Sequence, residues 1–132
     1  MISVTTIPAA TASATSQSVA VAVTETLSGG VCSNDKVLPQ SSMNFATGTI
    51  KTIGDVTFVP ITVTGSIVYQ PHGTNRTRTK MYSETFTVSF TATTDNDVTI
   101  TPSTDVGGFL SGFNCCRAHQ YTILSSLAIS IA

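Results

Sequence analysis

The stretch TFTVSFTATT, residues 85–94, sets Phe86, Val88, Phe90 and Ala92 against Thr85, Thr87, Ser89 and Thr91. A period of two belongs to an extended chain, whose successive side chains point to opposite faces. A helix would scatter these residues around its axis. The pattern therefore predicts a strand with one face on a core and the other coated with hydroxyls. The same alternation recurs in SVAVAVTET through Val19, Val21 and Val23, near the start through Ile2 and Val4, and beyond Gly65 through Ile67 and Tyr69. Many of these positions are β-branched, stiff at χ1 and suited to a pleated surface.

Turn formers divide the runs. After Asp95-Asn96-Asp97 the alternation resumes with Val98 and Ile100 and stops at Pro102, so 85–102 reads as a hairpin. A second hairpin is predicted for 45–53 (FATGTIKTI) and 56–64 (VTFVPITVT) around Gly54-Asp55. Pro60 has no amide proton and should mark a bulge or an edge on the second strand. The Gly- and Ser-rich stretches SGG (28–30), PQSS (39–42) and VGGFLSG (106–112) read as connectors. The C-terminal HQYTILSSLAISIA tolerates a helical reading, but its β-branched residues and its lack of caps favour a strand. No internal repeat is evident. The expectation is one all-β domain over residues 1–132, an antiparallel β-sandwich of jelly-roll or immunoglobulin-like type with about seven strands.

Composition bounds the function. Charged residues make up 10% of the 132 residues, against about 25% in ordinary soluble domains, whereas Ser and Thr together reach about 30%. A mean hydropathy of +0.27 argues for a chain that collapses rather than stays disordered. A net charge of −1 gives no electrostatic reason to expect nucleic acid as the main ligand. No apolar run is long enough to span a bilayer. No Lys or Arg precedes Lys36 and no unbroken apolar stretch follows Met1, so no export signal is read. Three cysteines cannot close a disulfide framework, which points to synthesis in a reducing cytoplasm.

The residues with chemical potential are few. FNCCRAH, 113–119, carries Cys115, Cys116 and His119, with Cys32 far upstream. Adjacent residues of an extended chain face opposite ways, and no CxxC or HxH spacing accompanies them, so a metal site is not expected. Packing as small buried hydrophobes, with Phe113 leading the segment into the core, is preferred over a Cys32 disulfide. His72 and His119 lie in no recognisable nucleophile motif, and GxSxG, HExxH, GxGxxG and the P-loop pattern are absent. The acids are scattered, and Asp95-Asn96-Asp97 reads as turn chemistry before calcium ligation. An enzyme is not expected, nor is a cofactor. HGTNRTRTK, 72–80, holds Arg76, Arg78 and Lys80, half of all Lys and Arg, on a loop that runs into a strand. These three are the candidate partner contacts, alongside the plainer reading of a solvated hairpin tip. Asn75-Arg76-Thr77 also fits the glycosylation triplet, which matters only in a secreted eukaryotic protein.

Hydroxyl-coated strands such as VAVAVTET and FTVSFTATT, on a chain poor in charge, resemble in general character the small all-β accessory proteins of tailed-phage virions, the capsid-decoration and head-fibre class. The resemblance carries no diagnostic motif and no site residues. It implies a virion structural protein made in host cytoplasm and bound to other virion subunits and to copies of itself. Two alternatives stay open. A carbohydrate-binding or adhesin-like sandwich would want aromatic platforms, and the chain has no Trp. A small RNA-packaging coat protein would want a broad basic face, and would gain support from a helical 119–131.

Overall fold

The computed structural model describes residues 2–7, 15–37, 42–91, 97–103, 106–114 and 116–131. Among these residues the chain is all-β, with nine strands in two antiparallel sheets and no α-helix. The strands are β1 (Ile2–Ile7), β2 (Ser16–Val31), β3 (Ser42–Thr47), β4 (Lys51–Ile53), β5 (Val56–Tyr69), β6 (Arg78–Phe90), β7 (Val98–Pro102), β8 (Gly107–Asn114) and β9 (Arg117–Ile131). The first sheet runs β1-β2-β9, and β7 and β8 share the far side of β9. In the second sheet β5 is central, with β6 on one side and β3 and β4 on the other. The strand count exceeds the expected seven because two long partners, β9 and β5, each pair with two short strands in succession.

Alternation decides the core. Val19, Val21, Val23, Leu27 and Val31 of β2, Val59, Ile61, Val63 and Ile67 of β5, and Ile123, Leu127 and Ile129 of β9 are buried in one cluster fed by both sheets. Val88 and Phe90 join it from β6, and Phe86, Val98 and Ile100 pack against it, so the predicted inward face of 86–90 and 98–100 is present. The C-terminal segment is strand, and the helix that RNA packaging would have used does not form. Hydroxyls satisfy one another across strands. Thr24 and Thr122, directly paired on β2 and β9, share a 2.7 Å hydrogen bond, and Thr62 and Thr85 on β5 and β6 one of 3.3 Å.

Several expectations are corrected. Residues 85–102 are not a hairpin: β6 pairs with β5, whereas β7 pairs with β9 in the other sheet. The chain changes sheets there, so local alternation continues while the pairing partner does not. Residues 92–96, including the Asp95-Asn96 turn, lie outside the described residues. The 45–53/56–64 hairpin holds at its tip, where Ile53 pairs with Val56 around Gly54-Asp55. Its first arm is split, however. Thr47 pairs with Ile61 and Lys51 with Phe58, so four steps on that arm oppose three on β5. The extra residue falls beside Pro60, whose carbonyl accepts from Gly48 N at 2.8 Å, which places the bulge where the missing amide proton leaves no ladder bond to lose.

Two presumed connectors are strand. SGG at 28–30 lies within β2, where five steps from Thr26 to Val31 oppose two from Gln120 to Ala118, a wide bulge with Gly29 and Gly30 at φ +86° and +74°. Most of VGGFLSG forms β8. Glycine is tolerated at 108 because the Tyr121 side chain of β9 lies over it, in the space a Cβ would need. PQSS falls mostly outside the described residues, and only Ser42 enters β3.

Candidate functional site

Arg76, Arg78 and Lys80 sit at the β5–β6 hairpin tip. Arg78 opens β6 opposite Tyr69, and Lys80 stands opposite Ile67. Arg76 and Arg78 are exposed and Lys80 is half-buried. The loop is internally tied: Gln70 Nε2 donates to Thr74 O at 2.6 Å, Thr74 Oγ1 to Arg76 O at 3.1 Å, and Thr74 N to Pro71 O at 3.2 Å. A tied loop presents its guanidinium groups from a restricted base, which lowers the ordering entropy lost on contact with a partner.

The same loop docks on the end of β2. His72 N donates to Gly30 O and Gln70 N to Lys36 O, each at 2.9 Å, and Val37 forms a bridge with Tyr69. Between them lies a single 3-10 turn, Asn34–Lys36, whose Asp35 accepts from Ser33 Oγ. That bond holds the Asp35 carboxyl below the usual range, although the side chain is open to solvent. The docking brings Cys32 Sγ within 2.6 Å of His72 Nδ1. A cleft of about 240 Å³ opens there, lined by Cys32, Lys36, His72 and Thr74 among others. Close approach depends on glycine: a Cβ on Gly30 would stand 2.9 Å from Arg117 Cβ and 3.1 Å from His119 Cε1. Arg117 and His119 are thus neighbours of the same strand end.

Sequence reasoning missed this pairing. Cys32 and His72 are far apart in the chain with no motif spacing, and only the bulge at 26–31 and the register of β5 bring them together. The one signal in the sequence is Gly29-Gly30, whose composition reads as a connector.

FNCCRAH is where the structure departs furthest from expectation. Asn114, the last residue of β8, pairs with Arg117, the first of β9. Cys116 is exposed at φ 67°, and Phe113 is 64% exposed. Neither residue packs in the core, because the segment reverses at the outer end of a sheet instead of passing between the sheets. Cys115 lies outside the described residues. Cys32 and Cys116 are both free thiols. Among the described residues no three His, Cys, Asp or Glu side chains gather to hold a metal ion.

Deeper in, Tyr82 of β6 is buried, and its hydroxyl is pushed up to about 12, first by burial and then by the Glu25 carboxylate. Burial also raises Tyr121. At the opposite seam Gln17 Nε2 donates to Ser89 O at 2.6 Å, tying β2 to the outer strand of the other sheet. No helix of the described residues is long and apolar enough to cross a membrane. Comparison with family models, with curated proteins and with solved structures gives no match.

Proposed function

We propose that the chain is a structural subunit of a virion, an accessory, capsid-decorating or fibre-type protein that works by binding other subunits and copies of itself. In this reading its two sheets form a jelly-roll or immunoglobulin-like sandwich, and no catalysis is required of it. The observation that carries the proposal is the outer face of the β8–β9 pair. Leu124, opposite Gly107, and Phe109, opposite Thr122, lie on that face, 37% and 49% exposed, with Phe113 further along β8. Large apolar side chains grouped on a surface with few charges favour association over isolation. The Arg76, Arg78 and Lys80 cluster supplies a second contact, suited to carboxylates through the bidentate guanidinium geometry.

The test is sedimentation velocity across a wide protein range, with and without virion shells lacking this subunit. The expected result is self-association or shell binding that Phe109→Ser weakens and that Arg76→Ala with Arg78→Ala makes less salt-dependent. A monomer at every concentration that ignores the shells would refute the proposal.

A further inference from the structure

The Cys32–His72 contact has no place in a purely structural role. Both residues are exposed, yet the main chain around them is fixed on each side, by His72 N to Gly30 O and by Gln70 N to Lys36 O. We propose that Cys32 and His72 form a thiol–imidazole pair that takes small anionic disulfides into the adjoining cleft and forms a mixed disulfide with them. A thiolate is the nucleophile in such exchange, and an imidazole within hydrogen-bond reach can receive its proton. The Sγ to Nδ1 distance of 2.6 Å meets that condition.

The step balances without a further reactant. The Cys32 proton passes to His72 Nδ1, and Sγ attacks one sulfur of the disulfide. The S–S bond breaks as the new one forms, and the departing thiolate takes the proton from the imidazolium. The incoming disulfide is the oxidant, one of its sulfurs leaving as a thiol. One cation, Lys36, lines the cleft, and Arg117 of β9 lies against Gly30, two residues before Cys32. Asp35 is the acid of the neighbouring turn, engaged by Ser33. This setting favours the approach of a disulfide that carries carboxylates.

The chain contains its own comparison, because Cys116 is also an exposed free thiol. Trypsin separates them, placing Cys32 in peptide 1–36 and Cys115 with Cys116 in peptide 81–117. At about pH 6.5 an ordinary thiol is only about 1% ionised, which leaves ample room for acceleration. The experiment treats the full chain with 5,5′-dithiobis(2-nitrobenzoate) and follows adducts in both peptides by mass spectrometry. Peptide 1–36 should be labelled about tenfold faster. His72→Ala should remove that advantage, and so should His72→Asn, which keeps a hydrogen-bonding side chain but cannot take the proton. Lys36→Ala, in which the Cys32 peptide becomes 1–51 for want of the first tryptic site, should slow the anionic reagent severalfold and leave the neutral 4,4′-dithiodipyridine unchanged. Equal labelling of the two peptides, or an undiminished rate in both His72 variants with unchanged circular dichroism, overturns the pair. Equal slowing of both reagents by Lys36→Ala overturns the preference for anions.

Discussion

Replacing Phe90 with Ala tests the fold at the residue on which its face assignment most depends. Phe90 ends β6 opposite Thr57, itself buried, and is fully enclosed by the shared cluster. Removing the ring takes away its transfer free energy and leaves a cavity that strands fixed on both sides cannot collapse to fill. Such changes cost about 3–5 kcal/mol. That is a large part of the roughly 5–15 kcal/mol that holds a domain together. With a urea m-value of roughly 1.5 kcal/mol/M for a chain of this size, the unfolding midpoint should fall by roughly 2–3 M. The companion substitution is Phe113→Ala, the same chemistry at a side chain 64% exposed on β8, for which a change within about 0.5 kcal/mol is expected in the dissociated chain. Urea unfolding followed by circular dichroism suits both variants. Measurements at two protein concentrations separate an intrinsic loss from lost association, which alone varies with concentration. A Phe90→Ala loss below about 1 kcal/mol, or a Phe113→Ala loss as large as that expected for Phe90, would refute the inward and outward assignments.

Gly108→Ala should destabilise by about 1–3 kcal/mol because its Cβ would meet the Tyr121 ring; Gly107→Ala, with open space around it, should be near neutral, and thermal melts distinguish the two. Cys116→Gly should stabilise by about 1 kcal/mol, since residue 116 holds a positive φ that an L side chain resists; a melting temperature that falls would count against the turn geometry. Tyr82 gives a pH dependence at the alkaline end. Its folded-state value lies near 12 against an ordinary 10, so the unfolded chain loses the proton first. Stability is full below about pH 10 and falls as pH rises toward 12, and Tyr82→Phe should flatten that decline. Parallel stability curves for the two proteins would exclude burial as the cause.

How much was legible beforehand differs from element to element. The alternation in Val19–Val23, Phe86–Phe90 and Ile67–Tyr69 identified strands and their buried faces, because a period of two is a property of the extended chain itself. Gly54-Asp55 likewise placed a turn, through backbone limits that travel with the residue, whereas Pro60 marked an irregularity whose extra residue falls on the facing arm and not on its own strand, which is central and not an edge. Strand partners were not legible. Whether Val98 pairs with β6 or with β9 depends on which sheet edge is open, and both choices bury the same face. The Gly-rich β8 reads as loop until Tyr121 of another strand covers Gly108. FNCCRAH looked like a segment bound for the core, and became an outer turn only through the Asn114–Arg117 register. Cys32 and His72 show the limit most clearly. The sequence supplied a thiol and an imidazole, but their contact arises from a bulge in one sheet meeting a hairpin loop of the other, a long-range juxtaposition that no local pattern encodes.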